Sequence, residues 1–129
     1  MPAQSDEAQM NAKSFVQALS IVVNRAVEGG LIDVLKHPPG RRPRAEIVSM
    51  SQWFNNLSQS DQENVRALLR LAAEQATYSV LGVLDGLIAA EPAGEKGKLV
   101  LTYEKDGDVT VINDPQEPPL TVLFKEEAG

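Results

Sequence analysis

The run over residues 58–88, SQSDQENVRALLRLAAEQATYSVLGVLDGLI, decides the fold. It opens on a helix-start pattern: Ser58 followed three residues later by Asp61, or Ser60 followed by Glu63. A hydroxyl ahead of an acidic third residue satisfies the free N–H groups of a first turn, so either serine can cap. Leu69, Ala72, Ala73, Ala76, Val80, Val83, Leu84 and Leu87 then recur at helical spacing as a broad apolar stripe. Toward its end the polar face nearly vanishes. A helix that is apolar all round is a buried one, so this helix, about 58–90, is predicted to stand at the centre of the fold. Ser79, Gly82 and Gly86 add a small-residue stripe. Each glycine costs a helix about 1 kcal/mol relative to alanine, and close approach of another segment is the simplest compensation.

Upstream, residues 5–28 read as a first helix. Ser5 is its N-cap, Asp6 and Glu7 suit the positive end of its dipole, and Phe15, Leu19, Val22, Val23, Ala26 and Val27 keep helical spacing. Gly29-Gly30 is the expected stop, with residues 31–36 as a further short helical piece. Residues 37–44, HPPGRRPR, hold three prolines and a glycine and form a loop. A shorter helix over about 45–57 places Ile47, Met50, Trp53, Phe54 and Leu57 on one side.

Downstream, residues 98–104 and 109–113 read as two strands around an Asp-Gly turn. A two-residue Asp106-Gly107 turn would set Tyr103 opposite Thr110 and Leu101 opposite Ile112. A three-residue Lys105-Asp106-Gly107 loop would set Tyr103 opposite Val109 and Leu101 opposite Val111. The second gathers Leu99, Leu101, Tyr103, Val109 and Val111 on one face, and one-sided burial fixes register, so it is the preferred reading. Leu120, Leu123 and Phe124 are spaced as on a helix, while Thr121, Val122 and Phe124 equally suit a third strand; the helix is preferred. The expected architecture is a single α+β domain over residues 1–129. Three to four helices surround the buried 58–90 helix, and a C-terminal β-hairpin occupies about 98–113.

With 129 residues and 43% apolar content, the chain can bury one core of ordinary size. Its net charge of −6 disfavours general affinity for nucleic acid or anionic membranes. The absence of cysteine removes disulfides, thiolate metal sites and cysteine nucleophiles. The opening MPAQSDEAQMNAKS lacks the basic-then-apolar order of a secretory signal, and no apolar run approaches the ~20 residues that span a bilayer. These features lead to the expectation of a soluble cytoplasmic protein.

Chemistry is sparse. Glu74, Tyr78 and Asp85 fall in a narrow angular band of the central helix, one turn beyond Arg70. They could line a pocket in which Asp85 is base or ligand anchor; equally, they could be a solvated edge, with Asp85 bonded to nearby backbone. Eleven residues at 1.5 Å rise separate Glu74 from Asp85 by roughly 16 Å, too far for the 5–9.5 Å of a glycosidase carboxyl pair. A partner acid from elsewhere, such as Asp33 or Asp114, stays open. One histidine, His37, and no Cys-x-x-Cys or His-x-x-x-His spacing give no metal centre, and nothing points to a cofactor. Arg41, Arg42 and Arg44, with Lys36, form the only basic cluster. It could grip phosphates or an acidic protein surface, or remain a solvated loop paired with the acid-rich C-terminal segment. Trp53 is either a core-edge anchor or a partner-contact hot spot.

Several of these features occur in a recognisable order: Trp53-Phe54-Asn55-Asn56-Leu57-Ser58, Asp61, a helix ending Leu84-Asp85-Gly86, a strand over 99–104 and Asn113-Asp114-Pro115. Over about residues 50–115 the chain resembles a group of small uncharacterised bacterial proteins. The resemblance implies no activity or ligand, and favours Asp85, Asn113 and Asp114 as site residues. The leading functional expectation is a non-enzymatic, acidic protein-interaction module whose partner is another protein or a second copy in a homodimer. An immunity-like role suits its size and charge by analogy alone. The alternative is a small-molecule-binding protein or enzyme with a pocket near Asp85 and Tyr78.

Overall fold

A computed structural model of the chain describes residues 9–91, 94 and 97–128. Among them lie helices α1 (Ala12–Ala18), α2 (Ala26–Lys36), α3 (Ala45–Asn55), α4 (Gln59–Leu84) and α5 (Leu120–Ala128). Strands β1 (Thr102–Lys105) and β2 (Asp108–Val111) form an antiparallel hairpin. The class is α+β. Two compact units emerge: unit 1 is residues 1–20 with 76–129, and unit 2 is residues 21–75. No helix among the described residues is long and apolar enough to cross a membrane.

Among the described residues the first helix starts at Ala12. Ser5, Asp6 and Glu7 lie outside the described residues. Asn11 caps α1: its Oδ1 accepts from the Ser14 N–H at 2.9 Å, while Ser14 Oγ accepts from the Asn11 N–H at 2.8 Å. This reciprocal box satisfies two N–H groups otherwise left free by a helix start. Leu19–Arg25 then continues as a π-helical segment directly into α2. An i→i+5 segment turns fewer degrees per residue than an α-helix, so it rotates the stripe that follows. Phe15 and Leu19 accordingly pack on the core of unit 1, whereas Val22 and Val27, on the same stripe of an ideal α-helix, are exposed.

Unit 1 is built on Val16, Leu81, Ile112, Leu120 and Phe124, each at most 2% exposed. Leu101 and Tyr103 of the hairpin and Leu123 of α5 close over them. α1 packs on α5. The expected helix near the C-terminus is thus α5, and its apolar spacing holds. The hairpin register differs from the preferred reading. Its turn has two residues, Asp106 and Gly107, with φ of +54° and +87°, and Tyr103 faces Thr110. Positive φ at both central positions is the backbone whose twist matches the flanking strands, and Asp-Gly is the pair that adopts it most readily. Turn geometry therefore outweighs the apolar count: Leu101, Tyr103, Thr110 and Ile112 face inward, while Val109 and Val111 are exposed.

α4 is the longest element, but not the buried centre. Only Leu81 and Gly82 are buried along it, and Leu68, Leu71 and Val80 are each at least 60% exposed. Its start follows the first of the two cap patterns, with Ser58 Oγ accepting from the Asp61 N–H at 3.1 Å. Its end comes at Leu84, because Gly86 has φ +79°. The Leu87 N–H donates to Gly82 O at 2.9 Å and the Gly86 N–H to Val83 O at 3.1 Å, a Schellman pair that terminates the helix. The two glycines thus act differently. Gly86 supplies a left-handed cap with open space around it, and Gly82 is packed beneath Ile88, which folds back over it. A Cβ on Gly82 would lie 2.7 Å from Ile88 Cδ1. Gly82→Leu should displace Ile88 and destabilise by about 1–3 kcal/mol through overpacking, measured as a lower urea midpoint. An unchanged midpoint would show that Ile88 moves away freely.

In unit 2, α2 packs on α3 around Ile32 and Phe54, which are 2% and 1% exposed. The helix runs through Gly29-Gly30 rather than stopping there. Neither glycine has a positive φ, and contacts beyond them hold the helix in place. Ser51 Oγ donates to Leu35 O at 2.6 Å, and Asn55 Nδ2 donates to the same carbonyl at 3.2 Å. These bonds satisfy acceptors that a helix end leaves free. Of the residues expected on one side of α3, Phe54 is buried and Ile47 and Leu57 are partly so, while Met50 and Trp53 are exposed; Ser51, outside that set, is buried as well.

Glu28 of α2 braces α4. Its carboxylate accepts from Arg70 Nε at 2.8 Å and from Arg66 Nη1 at 3.1 Å, and its side chain is only 14% exposed. The Arg70 hydrogen bond, opposed by partial burial and reinforced by Arg66, holds the Glu28 carboxyl below its ordinary value of 4.5. A depressed pKa means that the folded state binds the proton more weakly than the unfolded state. The stabilisation is therefore complete above about pH 4.5 and is lost as pH falls through the lower folded value. Wild type should lose stability more steeply than Glu28→Gln below that pH in acid titrations of the urea midpoint. Parallel profiles would exclude this contribution.

Candidate functional site

A recess in unit 1 lies where α4 ends. Its cavity is about 550 Å³, within the range that small ligands or an anchoring side chain occupy. Three pieces of chain form it: the turn after α4, residues 97–99, and residues 113–119. Leu87, Ile88 and Leu99 supply apolar surface and are 67%, 43% and 50% exposed. Glu91, Asp114 and Glu117 line it as well, with Lys98 as the single base there among the described residues.

Asp85 sits on the wall of this recess, but its oxygens are committed elsewhere. Oδ1 accepts from the Leu120 N–H at 2.9 Å, and Oδ2 accepts from the Thr121 N–H and the Thr121 hydroxyl, both at 2.9 Å. Leu120 and Thr121 open α5, whose first N–H groups have no partner within the helix. A carboxylate there also meets the positive end of the helix dipole. Asp85 is thus both the residue at which α4 ends and the cap from which α5 starts.

Asn113 is equally occupied. Its Nδ2 donates to Leu84 O and to Leu99 O, both at 2.8 Å, and its Oδ1 accepts from the Leu101 N–H at 2.9 Å. It ties the last turn of α4 to the segment entering β1. Asp114 Oδ1 accepts from the Gln116 N–H at 3.0 Å, closing the turn toward α5. Glu91 Oε1 accepts from the Gly97 N–H at 2.7 Å. Glu117 and Lys98 keep exposed side chains that can meet a ligand.

Tyr78 is half-buried against the core of unit 1, with Lys125 Nζ 5.1 Å from its ring centroid. Tyr78 does not line the recess that Asp85 borders. Glu74 belongs to unit 2, where the Glu28 hydrogen bond and charge raise the Arg70 pKa and the charge of Glu74 adds the smallest contribution. The sequence band Glu74–Tyr78–Asp85 therefore does not line one pocket: the Asp85 N–H still donates to Leu81 O at 2.8 Å, as in a helix, but of the three only Asp85 borders the recess. Asp85, Asn113 and Asp114 do come together, through backbone hydrogen bonding.

In unit 2, Trp53 is 54% exposed and Met50 40% exposed on the outer side of α3. Arg41, Arg42 and Arg44 are all exposed, and Arg44 Nη2 pairs with Glu46 at 3.2 Å. Among the described residues, no group of three or more histidine, cysteine, aspartate or glutamate side chains could hold a metal ion.

The sequence did not point to Leu99 as recess surface, nor to Thr121 as the partner of Asp85. The Asp-Gly pair closing an apolar helical run was the available signal, since it marks a C-cap followed by a left-handed residue. Compared with known proteins, the chain matches no family model, no curated protein and no solved structure.

Proposed function

We propose that this protein is a non-enzymatic interaction module of the cell interior that docks a segment of another protein in the recess of unit 1. The observation that carries this reading is the pairing of exposed apolar surface with an acidic rim. Leu87, Ile88 and Leu99 offer a place for an apolar anchor, and Glu91, Asp114 and Glu117 line the same recess. The partner segment would carry an aliphatic or aromatic side chain flanked by lysine or arginine. The residues with the richest chemistry at the recess, Asp85 and Asn113, are engaged with backbone partners, which favours docking over catalysis. A small apolar cation is the second reading, favoured by the volume of the recess.

Affinity capture from lysate, followed by native mass measurement, tests the proposal when run beside Leu87→Asp and Glu117→Lys. Both side chains are exposed, so the variants should fold. A stoichiometric protein captured by wild type and lost from both variants supports docking at this recess. A bound small molecule that disappears in the same variants supports the second reading. Capture unaffected by either substitution removes the recess from the interaction.

A further inference from the structure

We infer that unit 2 carries a separate docking surface, formed by the arginine loop and the outer side of α3, for an acidic protein segment with an apolar anchor. The surface does not depend on the recess of unit 1 and has the opposite charge. Residues 36–44 contain Lys36, Arg41, Arg42 and Arg44 and no carboxylate, in a chain whose net charge is −6. Neither Arg41 nor Arg42 pairs with a carboxylate of the described residues. Pro38, Pro39 and Pro43 restrict the loop, and Gly40 takes φ +81° within it. The arginines are thus presented from a stiffened backbone, so less ordering is lost when a partner binds.

The same surface continues along α3. From Glu46, which holds Arg44, Met50 and Trp53 follow at i+4 and i+7, so the three share one stripe about 10 Å long. The neighbouring side of α3, roughly 100° round the helix, buries Ser51 and Phe54. A half-exposed tryptophan and a methionine beside that buried side leave apolar surface open to a partner. Tryptophan, methionine and arginine are the residue types enriched where proteins meet, and tryptophan and arginine dominate binding energy there. Guanidinium groups recognise carboxylates through paired N–H donors. Single-stranded nucleic acid would also combine arginine contacts with stacking on tryptophan. Trp53 is the only tryptophan, however, and the neighbouring Met50 offers aliphatic contact rather than a second stacking plane. The overall negative charge further opposes a polyanion of high charge density.

The sole tryptophan makes the test direct. The full chain is titrated, at low salt, with a synthetic amphipathic peptide bearing glutamates on one face and leucines at i, i+3, i+4 and i+7. Oligo-dT serves as the competing probe. Trp53 emission should shift to the blue and saturate with the peptide. Arg41→Glu with Arg42→Glu should weaken peptide binding at least about tenfold, and added salt should weaken it in wild type. Trp53→Ala, followed by calorimetry, should abolish measurable heat. No emission change, equal affinity in the double arginine variant, or tighter binding of oligo-dT than of the peptide would each overturn the proposal.

Discussion

Asp85→Ala is expected to lower the unfolding free energy by about 2–4 kcal/mol. Three hydrogen bonds to one carboxylate would be lost, two of them from the first N–H groups of α5. Bonds to a charged acceptor contribute more than neutral ones, and the donors left behind are part-buried. The loss should be less than the sum of three separate bonds, because water can enter beside the vacated side chain. Asp85→Asn keeps a single carbonyl acceptor and no charge at the helix N-terminus, so its cost should fall between alanine and wild type. Urea unfolding followed by circular dichroism measures both, with the slope checked for constancy. The order wild type, asparagine, alanine is expected. An alanine variant as stable as wild type would show that α5 starts without this cap, and would return Asp85 to the list of groups free for ligand chemistry.

The recess itself follows from that arrangement. Its wall exists because α4 ends at Leu84 and the chain turns at Gly86, so that Leu87 and Ile88 leave the helix. An uninterrupted helix to residue 90 would have kept the apolar stripe intact and formed no such turn. Gly82 makes this geometry possible by admitting Ile88 against the helix backbone, where a larger residue would hold it off. Stability and site therefore share residues here, and a loss of binding in a variant of Asp85 or Gly82 has meaning only beside its unfolding midpoint.

Elements marked by local chemistry were readable from sequence. Ser58 and the spacing of Leu120, Leu123 and Phe124 each placed a helix, because capping and amphipathic spacing are encoded within a few residues. Failures came where two local rules competed or where the answer lay far along the chain. In the hairpin, the Asp106-Gly107 turn opposed the count of apolar residues on one face, and the turn prevailed. At Gly29-Gly30 the glycine signal was overridden by packing of Ile32 and by the Glu28 brace to Arg66 and Arg70, nearly forty or more residues away. The π segment leaves no mark in composition, yet it redirects Val22 and Val27. Among the residues named as ligand or partner candidates, Asp85 and Asn113 bond backbone partners at separations of 12 to 36 residues that no spacing rule reaches. Trp53 could be named as a core edge or a contact point, and it is 54% exposed.

Asn113 offers the sharpest separation of a structural bracket from a ligand group, because its amide has two unlike ends. Nδ2 donates to two carbonyls, Leu84 O and Leu99 O, and Oδ1 accepts from the Leu101 N–H. Asn113→Ala leaves two acceptors and a donor to find water in a part-buried site, and should cost about 2–4 kcal/mol. Asn113→Asp has nearly the same shape, but it turns the donating end into a second oxygen facing the two carbonyls. At neutral pH that carboxylate meets partial negative charge, including the C-terminal end of α4 with its dipole, so this variant should be at least as unstable as alanine. Acidification should then help Asn113→Asp, since a protonated carboxyl recovers one donor toward Leu84 or Leu99. The folded state here favours the proton more than the unfolded state does, so the stability of this variant relative to Asn113→Ala must rise as pH falls through the carboxyl's folded pKa. Urea midpoints of wild type and both variants at neutral and mildly acidic pH settle the matter. A crossing of the two variants with pH supports the bracket. Asparagine replaced by aspartate without loss at neutral pH would show that Nδ2 donates to nothing essential, and would leave that nitrogen available to a partner in the recess.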